Sequence, residues 1–385
     1  MRIFRTMPIN RLLLLLAAVV AVVVAGTVTV AARGGSGSTP PPKPLADAIH
    51  DALTAQAPEG ITARIDFTNK LFPSGALTGQ AGSALESGAS GRLWANANGG
   101  RLELQSDGGD TQITWNDTKV TVYDASSNTA YVFDLPQKTS STGTTDTPPT
   151  LDRITQFLTD AATHWTISDA TPTNVAGQEA YSVTVSPKHD GGLLGSAELA
   201  WDAIHGTPLR IAVYAQGSSS PVLSLEATDI TFGPVSDSDI DVAPPAGVKV
   251  IDLSSQQSGS GTDSAPVTGL TAVQAAAPFA VTAPATLDGL PLQDIRLVGP
   301  TDSRSVIAVY GEGLGAIAVV ERAADASSPA STSSLPTVQL DSGVTANELA
   351  TQLGTILTWD TGGVSYVLAG SVPAAAAESA ARALR

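Results

Sequence analysis

The chain has 385 residues, 42% of them hydrophobic and 15% charged, with a formal net charge of -16 and no cysteine. That length is enough for two domains, while the acidity excludes nucleic acid and an anionic membrane surface as main partners, since phosphates are bound by Lys and Arg. Without cysteine there is no disulfide, no thiolate metal site, no cysteine nucleophile and no lipidated lipobox.

Arg2, Arg5 and Arg11 precede an uncharged apolar run from Leu12 to Ala32, and Arg33 follows it. About 20 such residues cross the hydrocarbon core at helical rise. The basic flank stays cytoplasmic, so everything after Arg33 is expected outside. Two fates are open for the segment 1–33. Cleavage at a small-residue site such as Val30-Ala31-Ala32 would release a secreted protein. Retention would leave a single-pass anchor in the cell membrane, and the length of the run favours this.

Residues 34–44, Gly-Gly-Ser-Gly-Ser-Thr-Pro-Pro-Pro-Lys-Pro, form a tether that is flexible first and then semi-rigid. A helix is predicted over 45–55, with Leu45, Ile49 and Leu53 on one stripe. Short alternating segments follow: Ala63, Ile65 and Phe67; Leu102 and Leu104; Ile113 and Trp115; Val120 and Val122. A turn at 124–128 and a return over 130–134 complete an antiparallel meander. The stretch 140–149 is a polar loop. Residues 151–165 are predicted helical, with Ile154, Phe157, Leu158 and Ala161 in register. Strands resume at Tyr181, Val183 and Val185. A hairpin turn is predicted at His205-Gly206-Thr207-Pro208, between Trp201 and a strand that puts Leu209, Ile211 and Val213 on one face. The Ser/Gly-rich stretch 254–266 is a linker, so 45–253 and 267–385 are predicted as two units. In the second, Val273, Ala276 and Phe279 suggest a short helix. Strands are predicted at 306–310, 316–320, 350–360 and 363–369, a loop at 324–336 and a closing helix at 374–384.

Several chemical signals are weak. Gly311-Glu-Gly-Leu-Gly315 joins two strands rather than opening a helix, so it is a hairpin turn and not a dinucleotide fingerprint. Asp237-Ser-Asp-Ile-Asp241 opens like a calcium loop, but Val242 and Val248 stand where glycine and the bidentate glutamate belong, which leaves a solvated strand entry. His50, His164, His189 and His205 lack metal-ligand spacing, and no Gly-x-Ser-x-Gly elbow is present. No cofactor and no catalytic group are assigned.

Three stretches carry a family resemblance. Residues 115–131 pair a strand ending Val-Tyr-Asp with a returning strand across a short turn. Residues 199–210, Leu-Ala-Trp-Asp-Ala-Ile-His-Gly-Thr-Pro-Leu-Arg, form a strand followed by Gly-x-Pro-Leu-Arg. Residues 239–250 end in Pro-Pro-x-Gly-Val. In these the segment 45–253 resembles the LolA/LolB/RseB superfamily of periplasmic lipoprotein-binding domains. The resemblance implies an α+β fold: a half-open antiparallel β-barrel with covering helices and an apolar cavity that accepts acyl chains. Residues 275–284, 359–370 and the final Ala-rich helix resemble a small extracytoplasmic α+β domain of some anti-sigma-factor proteins.

The resemblance implies a non-catalytic binder of the acyl chain of a lipid or lipoprotein. Because Leu12–Ala32 would hold the chain in the membrane, a stationary binder or sensor is favoured over a free carrier. The alternative is an RseB-like envelope-stress regulator that contacts an anti-sigma factor. Candidate cavity residues are Ile65, Phe67, Leu102, Leu104, Ile113, Trp115, Val120, Val122, Leu199, Trp201, Ile211 and Val213. For any one of them, packing in a closed core is the commoner role of an alternating apolar strand residue.

Overall fold

Pro42-Lys43-Pro44 keep the chain extended, and helix α1 (Leu45–Thr54) begins directly behind them. Asp47 lies in its first turn, where the helix dipole favours an acid. Lys43 Nζ pairs with Asp51 Oδ2 at 2.6 Å. The computed structural model in which these contacts are seen describes residues 37–56, 58–71, 84–135, 148–188, 192–253, 267–299, 304–324, 335–340 and 343–384. The apolar run from Leu12 to Ala32, the linker 254–266, His189 and most of the loops predicted at 140–149 and 324–336 lie outside the described residues. No helix among the described residues is long and apolar enough to cross a membrane.

The predicted meander is β1 (Gly60–Asn69), β2 (Ala89–Asn96), β3 (Gly99–Gln105), β4 (Thr111–Asn116), β5 (Lys119–Asp124) and β6 (Thr129–Asp134), each antiparallel to the next. A one-turn helix, α2 (Ala84–Ser87), precedes β2 and buries Ala84 and Leu85. Alternation sets the buried face: Ile61, Ala63 and Ile65 on β1, Leu102 and Leu104 on β3, Ile113 and Trp115 on β4, Val120 and Val122 on β5. The β5–β6 turn is held by Asp124 Oδ1, which accepts from the Ser126 amide at 3.0 Å, and by Asn128 at φ 47°.

The second limb runs α3 (Leu151–Ala161), β7 (Trp165–Ile167), β8 (Thr171–Val175), β9 (Gln178–Pro187), β10 (Leu194–Asp202), β11 (Pro208–Ala215) and β12 (Pro221–Phe232). Antiparallel pairing of β12 with β1 joins both limbs into one sheet, ordered β13-β6-β5-β4-β3-β2-β1-β12-β11-β10-β9-β7, with β8 beside β9.

Three details differ from the sequence reading. α3 ends at Ala161, and Trp165 already belongs to a strand; Thr163 to Ile167 are β-branched or aromatic apart from His164, which favours extended chain. Residues 237–240 form a one-turn helix, α4 (Asp237–Ile240), rather than a strand entry, because the Ser236 hydroxyl caps it and Asp237 Oδ1 accepts from Asn96 Nδ2 at 2.8 Å and Asn98 Nδ2 at 2.9 Å. The last strand, β13 (Lys249–Asp252), pairs parallel to β6, which its long connection from β12 permits.

The remaining elements are β14 (Val267–Thr268), α5 (Leu270–Ala276), β15 (Thr286–Leu287), β16 (Leu290–Val298), β17 (Ser305–Tyr310), β18 (Ile317–Ala323), β19 (Thr337–Leu340), β20 (Val344–Thr351), β21 (Gly354–Thr361), β22 (Val364–Gly370) and α6 (Ala374–Ala383). They build a second sheet, β14-β16-β17-β18-β22-β21-β20-β19, with β15 on β16. The strand expected over 350–360 is instead two. Thr351 Oγ1 accepts from the amides of Leu353 and Gly354 and turns the chain between β20 and β21. Residues 311–316 join two strands, as expected, through a single 3₁₀ turn. Phe279 lies beyond α5, which ends at Ala276. The two sheets meet where the Leu193 amide donates to the Ser371 carbonyl at 3.0 Å and Gln352 Nε2 donates to the Lys70 carbonyl at 2.9 Å. The whole is an α+β chain made mostly of sheet.

Candidate functional site

The first sheet does not fill its buried face evenly. Between its limbs lies a shallow apolar recess, open to solvent at its mouth. One wall is Ile61, Ala63 and Ile65 of β1 with Leu93, Leu102 and Trp115 from β2, β3 and β4. The other is Leu225, Ala227 and Ile230 of β12 with residues Thr207 to Ile211.

The local sequence explains the gap. Ile65 pairs with Ala227 and Ala63 with Ile230, so a small side chain faces a large one at each step. A β-bulge interrupts the same pairing between Arg64 and Ile65, leaving Thr228 unpaired and bending the strand. A second irregularity falls between Ala200 and Trp201, where β10 meets β11. Small residues and bulges leave space where an even alternation of large residues would have closed it.

The lip of the recess is the turn 203–207. Asp202 and His205 are both buried there, with His205 Nδ1 2.7 Å from Asp202 Oδ1, and Asp202 Oδ1 also accepts from the Ile204 amide at 3.2 Å. The His205 ring lies against Phe232, centroids 4.2 Å apart. The Asp202 amide donates to the Thr207 carbonyl at 2.8 Å. The hydroxyl of Thr207, two residues on, has no hydrogen-bond partner among the described residues. The Asp–His pair fixes a turn.

Arg210, one of the lining residues, has its charge met by polar and acidic neighbours. Arg210 Nη2 donates to Tyr214 Oη at 3.0 Å, and its guanidinium approaches Glu198 at 3.8 Å and Glu226 at 3.4 Å. Burial and the adjacent Glu198 carboxylate push the Tyr214 phenol up from its ordinary range.

Of the twelve residues expected to line a cavity, Ile65, Leu102, Trp115 and Ile211 line the recess. Leu104, Ile113, Val120 and Val122 are wholly buried deeper in the same core and do not reach it. Phe67 is half-buried against that core. Trp201 belongs to a separate cluster with Tyr181, Leu45 and Ala48 beneath α1. Leu199 is 36% exposed. Val213 is half-buried, pairs with Ala197 and Leu223, and does not line the recess. Alternation identifies the inward face of a strand; it does not say where along the strand packing fails. Ile61, Leu93, Leu225, Ala227 and Ile230 were not named from the sequence, and Ala63, Thr207 and Leu209 were named there only as strand or turn positions. The signal that could have found the place is the alanine among large neighbours, at Ala63 and Ala227.

No family model matches the chain, and no curated protein matches it. Among solved structures it is similar to MucB in complex with MucA(peri), at 15% identity over 88% of this chain and 96% of that one, with a TM-score of 0.40. It is similar to the Pseudomonas aeruginosa MucA/MucB complex at 16% identity over the same shares, again with a TM-score of 0.40. It is also similar to a putative outer membrane lipoprotein-sorting protein domain from Vibrio parahaemolyticus, at 12% identity over 51% of this chain and 96% of that one, with a TM-score of 0.20. At these scores the likeness carries no argument about function.

Proposed function

We propose that the chain is an extracytoplasmic, membrane-tethered binder of an acyl chain, borne by a lipid or a lipoprotein, and that it does no chemistry on its ligand. In this reading residues 45–253 form a half-open barrel of the LolA type, residues 267–385 a second unit, and Leu12–Ala32 the anchor. The observation that carries the reading is the recess, whose walls come almost wholly from Ile, Leu, Ala and Trp side chains. Ligand sites are mostly apolar clefts. A methylene moved from water into such a site gains about 0.8 kcal/mol, so a hydrocarbon needs no polar contact to be held.

The test is lipid analysis of the full chain purified from membranes without detergent, beside Ala227→Leu, which fills the recess. Wild type should carry a stoichiometric lipid or acylated peptide that the variant lacks. Equal lipid in both would remove the recess from the account.

A second reading makes the chain a regulator that contacts an anti-sigma factor. Its structural support is the layout of two sheets pinned at Leu193–Ser371. Capture of a single-pass regulator through the second sheet, by a protein whose recess is filled, would favour it.

A further inference from the structure

Among the described residues six large apolar side chains are exposed: Leu53, Leu151, Phe157, Leu199, Ile204 and Val250. All but Val250 belong to α1, α3, β10 or the turn that follows β10. The two helices pack on one another and on the strands carrying Tyr181 and Trp201. Phe157, at 68%, is the most exposed of the six, and it neighbours Leu158, which faces that packing. The turn that carries Ile204 lies against the end of α1 that carries Leu53, since a Cβ on Gly206 would stand 2.3 Å from the Ala52 carbonyl oxygen. The same turn runs on into the recess lip. Helix α1, on which α3 packs, thus ends beside the turn that forms the recess lip, and the two helices and the turn all leave apolar residues outward; exposed apolar surface of this kind marks an interaction site.

The start of the chain says what covers this surface. Ser38 is already fastened to the sheet, its carbonyl accepting from Asn174 Nδ2 at 2.9 Å, and the Pro41 carbonyl accepts from Tyr181 Oη at 2.6 Å. Only about six residues separate Ala32 from Ser38, and at roughly 3.6 Å per residue they span about 20 Å at most. If Leu12–Ala32 stays in the membrane, the corner of the sheet that holds α1 and α3 cannot leave the bilayer surface.

We infer that this rim, Leu53, Phe157 and Ile204 foremost, rests on the lipid bilayer and turns the mouth of the recess toward it. The inference rests on the anchored reading above. Side chains of this kind sink into the boundary between headgroups and acyl chains, as on interfacial helices. With a net charge of -16 the protein is repelled by anionic lipid, so the surface it fits is zwitterionic.

The chain has no cysteine, so one introduced cysteine labels one position. Leu53→Cys, Phe157→Cys and Thr286→Cys, the last exposed on the second sheet, would each carry an environment-sensitive dye in the full chain reconstituted into phosphatidylcholine nanodiscs. With brominated acyl chains, emission should be lost at 53 and 157 and kept at 286. Mixing in anionic lipid should restore part of it. Equal emission at the three positions in a chain that stays in the disc overturns the inference and leaves lipid binding by the recess standing. A chain that does not stay with the disc overturns both the inference and the anchor. A Phe157→Asp, Ile204→Asp double variant, both at exposed positions, should fold as wild type and lose the quenching at 53. Quenching retained in it would assign the contact to the tether alone.

Discussion

A Cβ on Gly206 would stand 2.3 Å from the backbone oxygen of Ala52, so the turn before β11 and the last turn of α1 meet backbone to backbone. Gly206 is also at φ 68°, a region that other residues enter at a cost of about 1–3 kcal/mol. Gly206→Ala must therefore strain the turn and push α1 off the sheet. Gly217, at φ 73° with open space around it, isolates the backbone part. Chemical denaturation should show Gly206→Ala losing clearly more stability than Gly217→Ala. Equal losses would mean that the contact with α1 carries no energy.

Glu321 is wholly buried in the second sheet, where one carboxyl oxygen accepts from the Thr282 amide at 2.9 Å and the other has no partner among the described residues. Burial pushes its carboxyl up to about 7, against the smaller opposing effect of the Thr282 hydrogen bond. The folded state thus holds a proton that the unfolded chain gives up near pH 4.5. Stability is full below that value and falls as pH rises toward 7. Glu321→Gln keeps an acceptor for Thr282 and removes the charge. Urea unfolding between pH 5 and 8 should show wild type losing stability over that range and the variant staying flat, with the variant the more stable at pH 8.

Thr207 is 6% exposed, and its hydroxyl has no hydrogen-bond partner among the described residues. A buried hydroxyl left unpaired costs about 1–3 kcal/mol, so replacing it by a methyl of the same shape should not weaken the fold. Thr207→Val is expected to raise the unfolding midpoint or leave it unchanged. A large loss would show that the hydroxyl is paired, through water or ligand, in the working protein.

Much of this arrangement is legible in the sequence because it rests on alternation. Ile113-Thr114-Trp115 and Val120-Thr121-Val122 announce paired strands with one buried face, and they pair as such. His205-Gly206-Thr207-Pro208 announces its turn. What alternation could not give was the recess itself. That depends on Ala63 and Ala227 lying near a bulge on two strands far apart in sequence, and nothing local places them there. Phe157 misled for a related reason. Its helical register with Ile154 and Leu158 suggested burial, yet α3 is a surface helix whose buried stripe is too narrow to include it.

The recess also predicts an asymmetry between two alanines. Ala227 faces open space, whereas Ala180 is wholly buried and away from the recess. Overpacking a filled core costs about 1–3 kcal/mol. Ala180→Leu should incur that loss in thermal unfolding, and Ala227→Leu should lose less than about 1 kcal/mol, because the added carbons enter vacant volume.

Trp115 lines the recess and offers the most direct measurement. The full chain would be reconstituted with lipids brominated along the acyl chain, and its tryptophan emission compared with that of Trp115→Phe in the same membrane. If an acyl chain occupies the recess, wild type contains a quenched component that disappears in the variant and returns in unbrominated lipid. If the two proteins are quenched to the same degree, no hydrocarbon guest reaches Trp115, and the proposal that the recess holds an acyl chain is wrong.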